Sequence, residues 1–201
     1  MSRRSGPDSF GVKAVSLAIA LLLSSPLLHA VELDGVSVSP SATVHGIPLI
    51  LNGVGLRTFR LLMVPIKVYV AALYTPVPLR SVPAVESSSG PMQFDFTFLR
   101  AVGQSDVTKA WGSQFDHSIS FTYPGYQKDR DAFIGMFGAL PQGGVEQVSF
   151  VGANTVVSDC GTVRGSVAGR NFQQAFLSLW FGPKPVSHSL RDRLLGVMPP
   201  G

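Results

Sequence analysis

Between Met92 and Leu140 the apolar residues change period, and this restricts the fold more than any other feature of the sequence. Met92, Phe94, Phe96 and Phe98 alternate with Gln93, Asp95 and Thr97, the two-residue period of a strand with one apolar face. From Ser105, a good N-cap, Val107, Ala110, Trp111 and Phe115 recur at helical spacing. Residues 126–140 do the same, with Phe133, Met136, Phe137 and Leu140 on one stripe. Pro124-Gly125 separates the two predicted helices and Pro141-Gln142-Gly143-Gly144 ends the second. A strand that is apolar on one side must bury that side, and helices with one apolar stripe are suited to cover it.

The flanking segments extend this layout. Residues 36–39 and 43–51 read as short strands, with a turn at Asn52-Gly53. Residues 54–63 and 66–74 are two more, joined across Val64-Pro65. Pro76, Pro78, Pro83, Pro91 and the Ser87-Ser88-Ser89-Gly90 run make residues 75–91 a loop with room for one helical turn. Strands return at 147–151, 155–159 and 162–167. Phe172, Ala175, Phe176, Leu179 and Trp180 then form the apolar face of a helix that Gly182-Pro183 stops, and Ser187 caps a last one to Leu195. Strands, two helices, strands and two helices predict an α+β domain, its sheet largely antiparallel and its helices on one face.

Residues 1–30 read as an export signal. Arg3, Arg4 and Lys13 are basic, residues 14–23 are apolar, Ser24-Ser25-Pro26 breaks the helix, and Leu28-His29-Ala30 offers a cleavage site. The apolar run is shorter than the ~20 residues of a bilayer span, so no stable membrane span is expected after cleavage. Ser5-Gly6-Pro7 is not the apolar continuation of a twin-arginine signal. The predicted organisation is a signal peptide over 1–30 and a single domain over 31–201.

Charge and cysteine content narrow the function classes. The sequence pI is about 9.5, yet only 14% of residues are charged. Losing residues 1–30 halves the formal charge, from +4 to +2. With no Lys/Arg run longer than Arg3-Arg4, no nucleic-acid partner is expected. Cys160 is the only cysteine, so no intrachain disulfide can form; it reads as a small buried or half-buried thiol beside Gly161. An export signal without disulfides points to the periplasm.

Metal and cofactor signatures are missing. His45, His117 and His188 are more than seventy residues apart, with no ligand-type pairing, so no metal is expected. No G-x-S-x-G elbow, Walker loop or dinucleotide fingerprint is present, and no cofactor is implied. Gly53-Val54-Gly55 leads into a strand and reads as a hairpin turn needing positive φ. Lys128-Asp129-Arg130-Asp131 reads as a solvated helix face, and Arg191, Asp192 and Arg193 as surface charge.

Arg57 stands apart, because it sits among apolar neighbours where a partly desolvated guanidinium wants an anionic partner. If residues 54–63 and 66–74 pair as a hairpin, Tyr69 reaches the same face, and Arg plus a phenol makes a two-point clamp for a carboxylate or phenolate. The structural alternative is an Arg bonded to a carboxylate or to backbone carbonyls at a strand end.

The segment Gly53-Val54-Gly55-Leu56-Arg57, followed by Lys67-Val68-Tyr69-Val70-Ala71-Ala72-Leu73-Tyr74, resembles the opening hairpin of the chalcone isomerase-like family, in its exported bacterial branch. Residues 172–186, followed by Ser189-Leu190, resemble the family's closing helices, and residues 92–100 its intervening strand and exit. The resemblance implies an open-faced β-sandwich, a large antiparallel sheet with helices layered on one face and a ligand cleft between them. Plant members cyclise chalcones, and related non-catalytic members bind fatty acids. In both, an Arg matching Arg57 holds the anionic group. A Tyr matching Tyr69 helps in the fatty-acid binders, where catalytic members have Thr. The catalytic pattern also has a small hydroxyl residue followed by Met where this sequence has Leu179 and Trp180. Tyr123 and Tyr126 are candidates by position alone for the catalytic central Tyr.

Three readings follow. The first is a periplasmic domain binding a small amphipathic anion, a fatty acid or aromatic acid, lined by Arg57, Tyr69, Leu179 and Trp180. The second is an isomerase of the intramolecular-lyase type, in which Arg57 and Tyr69 are catalytic. The third is a non-catalytic envelope module for a protein partner, which interdigitation of Tyr69, Trp180, Phe94, Phe96 and Phe98 would favour. The sequence sets no oligomeric state.

Overall fold

The computed structural model describes residues 30–200, so nearly all of the predicted export signal lies outside the described residues. A small hairpin of β1 (Val31–Leu33) and β2 (Val36–Val38) precedes a seven-stranded antiparallel sheet whose strands lie in sequence order. These are β3 (Ser41–Val44), β4 (Ile47–Leu61), β5 (Val64–Thr75), β6 (Met92–Phe98), β7 (Val145–Val151), β8 (Asn154–Asp159) and β9 (Thr162–Ala168). The helices are α1 (Val82–Ser87), α2 (Gln104–Ser118), α3 (Tyr126–Ile134), α4 (Arg170–Phe181) and α5 (His188–Leu194). The α+β class and the open-faced arrangement, sheet below and helices layered on one face, are as the sequence predicts.

Met92, Phe94, Phe96 and Phe98 are all buried in one core rich in aromatic rings, where Phe94 packs on α4 and Phe96 on both α4 and α2. Nine of the twelve α4 residues are buried, because this helix is enclosed by the sheet below and its neighbouring helices. A second, smaller core lies on the opposite face of the sheet, where Val54, Val70, Ala72 and Tyr74 pack with Val38 and Leu49.

Several local expectations are corrected. Residues 43–51 are not one strand, because His45 and Gly46 turn the chain at positive φ between β3 and β4. Asn52-Gly53 is not a turn: β4 runs straight through it, with a bulge between Leu51 and Gly53. Gly53 and Gly55 are needed for closeness rather than for positive φ. A Cβ on Gly53 would lie 2.1 Å from the Arg193 carbonyl oxygen, and one on Gly55 2.9 Å from Leu190 and Arg193 side-chain atoms. These two glycines let α5 lie directly on β4.

The β4–β5 turn falls at Leu62-Met63 rather than Val64-Pro65. Gly103, not Ser105, caps α2, and α3 stops at Ile134 rather than reaching Leu140, leaving Phe137 and Leu140 buried in the segment that follows. Cys160 is exposed, because it sits at positive φ in the β8–β9 turn. Residues 128–131 are more engaged than a solvated face: Asp129 accepts from the Tyr123 hydroxyl at 2.7 Å, and Arg130 pairs with Asp116 at 2.9 Å across to α2.

Candidate functional site

The helix-facing side of the sheet carries its side chains in rows that cross the strands. Arg57, Tyr69 and Phe98 form one row. Gly55, Ala71, Phe96, Glu146 and Asp159 form the next. The ladder between β4 and β5 slips by one residue immediately after Arg57, so Arg57 and Tyr69 are the last pair before the hairpin changes phase.

Arg57 is half-buried and donates to the Thr58 carbonyl at 2.6 Å. That contact is of the structural type, but among the described residues no carboxylate lies within ion-pair distance of it. Tyr69 packs against the helix-side core, its ring 5.3 Å from Phe96 and 5.7 Å from Phe98. Burial pushes its phenol up to about 12, although the Arg57 cation and the nearby Trp180 indole N–H pull in the other direction. The phenol therefore keeps its proton at neutral pH.

Trp180, on α4, stacks on Phe94 and Phe96 at 5.6 and 5.3 Å and meets Trp111 edge to face. Its Nε1 is buried and lies beside the Tyr69 hydroxyl without the alignment of a full hydrogen bond. Leu179 is buried in the same core and has no polar side-chain atom to offer. The fold thus gathers Arg57, Tyr69 and Trp180 at one place. Tyr123 and Tyr126 sit in a separate part of the helical layer, against each other and near Phe121 and Phe115.

Glu146 is the residue that the sequence reading overlooked. It is 1% exposed, its Oε1 lacks a partner, and its cross-strand neighbour Asp159 is 2% exposed with Oδ1 likewise unpaired. Asp159 is anchored by the Gly138 N–H at 3.1 Å and by Arg164 at 3.3 Å. Burial first, then the Asp159 carboxylate, raises Glu146 to about 8, while the Trp111 indole opposes the shift. A signal was present: Glu146 is in phase with Val148 and Phe150, which puts a carboxyl on the apolar face of a strand.

At neutral pH this corner presents a guanidinium, a phenol O–H, an indole N–H and a protonated carboxyl. All four can donate and one is a full positive charge, while the Asp159 carboxylate opposite Glu146 is paired with Arg164. Such a set suits an oxyanion, above all a carboxylate head group. The rings of Tyr69, Phe94, Phe96, Trp111 and Trp180 interdigitate above it at centroid separations of 5.3–5.9 Å. Phe98 joins them through Tyr69 at 5.7 Å, and such interdigitation favours a partner-binding module.

The family model described as chalcone isomerase-like matches residues 30–196. Among solved structures, a fatty-acid binding protein of Arabidopsis thaliana superposes with a TM-score of 0.65 at 17% sequence identity, over 80% of this chain and 92% of that one. At that identity the likeness shows a shared fold. No curated protein matches the sequence.

Proposed function

Because the chain belongs to the chalcone isomerase-like family, we propose that it is a non-catalytic binding domain for a small amphipathic anion, a fatty acid or an aromatic acid. Arg57 supplies the charge, and Tyr69, Trp180 Nε1 and the protonated Glu146 supply neutral donors around the same head group. The observation that carries this reading is the pair of buried, unpartnered polar atoms, Trp180 Nε1 and Glu146 Oε1, near Tyr69, whose cross-strand partner Arg57 has no carboxylate partner among the described residues. The Arabidopsis neighbour, named for fatty-acid binding, is consistent with it. The apolar body of the ligand would lie between sheet and helices, where the aromatic rings must part to admit it. The N-terminal segment supports export to the periplasm as the place where this happens.

Native mass spectrometry of the purified protein, followed by titration with a long-chain fatty acid and with a hydroxycinnamic acid, tests the reading. We expect a stoichiometric complex with one of these classes. Arg57→Ala should weaken it by about 1.5–3 kcal/mol, the value of a charge-assisted contact. No complex with either class, or unchanged affinity in Arg57→Ala, overturns it.

The second reading is a partner-binding module whose cleft is filled by side chains, and the interdigitated rings favour it. It predicts no complex with either class and a pull-down partner that Arg57→Ala still binds.

A further inference from the structure

The polar face of β6, turned away from the helices, is partly roofed. Residues 37–39, the end of the β1–β2 hairpin, lie over Asp95 and Thr97, and Gln93 is only 6% exposed. The hairpin is fixed at both ends. The Tyr74 hydroxyl donates to the Ser39 carbonyl at 3.1 Å, Lys67 pairs with Asp34 at the tip, and Val38 joins the smaller core. Between hairpin and sheet is a cavity of about 190 Å³. A volume of ~150 Å³ accommodates benzene, so this one has room for a small organic molecule.

Asp95 is half-buried in the wall of this cavity. Its Oδ1 accepts from Gln93 Nε2 at 3.0 Å and from Gln147 Nε2 at 2.9 Å, and no described group donates to Oδ2. Among the described residues no Lys, Arg or His comes within ion-pair distance of the carboxylate. Burial raises its carboxyl above the ordinary value, and only the two glutamine amides oppose the shift. The Tyr74 phenol is raised as well, by burial first and by Asp95 second. It therefore keeps its proton, gives it to Ser39, and leaves its oxygen as an acceptor. Thr97 adds a hydroxyl with no described partner.

We propose that this cavity binds the ammonium head of a small primary amine, with Asp95 Oδ2 as its counter-ion, the Tyr74 and Thr97 oxygens as further acceptors, and its short apolar body against Val38, Val70 and Val145. A half-buried carboxylate without a cation wants one, and everything else polar in the wall can accept. The type of cation follows from the geometry. A guanidinium forks onto both oxygens of a carboxylate, and here Oδ1 already takes two amides, whereas an ammonium is a point charge that needs only Oδ2. Its three N–H donors then match one charged and two neutral oxygens. A divalent metal asks for more charged ligands, and among the described residues no group of three His, Cys, Asp or Glu side chains could hold one.

Titration of the purified protein at neutral pH with cyclohexylamine, followed by NMR, tests the site. We expect saturable, stoichiometric binding that shifts the resonances of Asp95, Thr97 and the β1–β2 hairpin. Cyclohexanol, which has the shape without the charge, should bind about tenfold more weakly or worse. The N,N,N-trimethyl analogue, which has the charge without N–H donors, should also bind more weakly. Asp95→Asn keeps the oxygen that the two glutamines use and removes the charge, so it should weaken cyclohexylamine about tenfold or more. Thr97→Val keeps the shape, removes one acceptor and should weaken it about threefold. No saturable binding of cyclohexylamine, equal affinity for the alcohol or the trimethyl analogue, or undiminished binding in Asp95→Asn overturns the proposal. If Asp95→Asn does not fold, Thr97→Val decides: the loss supports the site and an unchanged affinity overturns it. Tyr69 lies on the opposite face of the sheet and no fatty or aromatic acid enters these titrations, so their outcome leaves the head-group reading untouched.

Discussion

Arg57 and Tyr69 stand opposite each other across the β4–β5 ladder, on the helix-facing side and at the last register position before the strands slip. The slip lets the hairpin beyond them turn a different face, so the same two strands serve the core on one side of Arg57 and the surface on the other.

The pair gives the first prediction. Tyr69→Phe keeps the ring against Phe96 and Phe98 and removes only the hydroxyl. Affinity for an anionic ligand should fall by about 0.5–1.5 kcal/mol, with little change in melting temperature. Combined with Arg57→Ala, the losses should not add, because both groups address one head group. Strict additivity in titration calorimetry would argue that they act at separate places.

Glu146 should leave a signature in the pH dependence of stability. Its carboxyl is raised from an ordinary 4.5 to about 8, mainly by burial. Between those values the folded protein holds a proton that the unfolded chain has released, so stability declines as pH rises through that window. Glu146→Gln resembles the protonated acid and should flatten the decline. Thermal melts should show the variant about 3 °C or more above the parent at pH 8 and level with it near pH 4. An unchanged gap across that range counts against a buried, protonated Glu146.

Ligand binding should follow the same group. An anion placed beside Glu146 gains from its proton and is repelled once it ionises, so affinity should drop as pH passes about 8. Glu146→Gln should bind with a flatter profile over that range. A parent profile equally flat from pH 6 to 9 would place the head group away from Glu146.

Gly53→Ala tests the contact between α5 and β4. The added Cβ would meet two backbone carbonyl oxygens, of Arg193 at 2.1 Å and Leu194 at 2.5 Å, so the helix itself has to move. The cost should be about 3 kcal/mol. Gly55→Ala meets Leu190 Cδ1 and Arg193 Cδ, which can shift, and Arg193 Cβ, which moves only with its backbone, all at 2.9 Å, and should cost less, about 2 kcal/mol. Chemical denaturation giving the reverse order would refute the packing argument.

Asn52 ties three chain segments together. Its amide donates to the Leu79 carbonyl at 3.0 Å and the Leu194 carbonyl at 2.7 Å, and its oxygen accepts from the Leu79 N–H at 2.6 Å. Asn52→Leu preserves the volume and leaves those backbone groups unpaired, which should cost about 3 kcal/mol in a denaturant series. A loss below about 1 kcal/mol would mean that water replaces the amide.

Where the sequence was informative, one period dominated. The alternation from Met92 to Phe98 specified a strand with its apolar face toward the helices, and the spacing in residues 172–180 specified the helix that lies on it. Resemblance in the β4–β5 segment and the closing helices pointed to the family, and through it to the open-faced sheet. Single glycines and turns were misread for a physical reason. Gly53 looks the same in a sequence whether it relaxes a turn or admits a helix, and only its distance from Arg193 distinguishes the two. The Leu62-Met63 turn was missed because its residues are poor turn formers, so no local preference announced it.

By itself, then, the sequence determined the alternation of strand and helix, the layered α+β class and the presence of Arg57 and Tyr69 on one hairpin. Those properties depend on local periodicity and on register, which neighbouring residues encode. Only the tertiary structure decided that Glu146 and Asp159 lie on the next row, that Trp180 leans over Tyr69, and that an apolar tip stands free at Leu62-Met63. Burial, and with it the protonation of Glu146, arises where Phe96, Trp111 and Asp159, from three separate elements, close around one carboxyl. No local pattern carries that information.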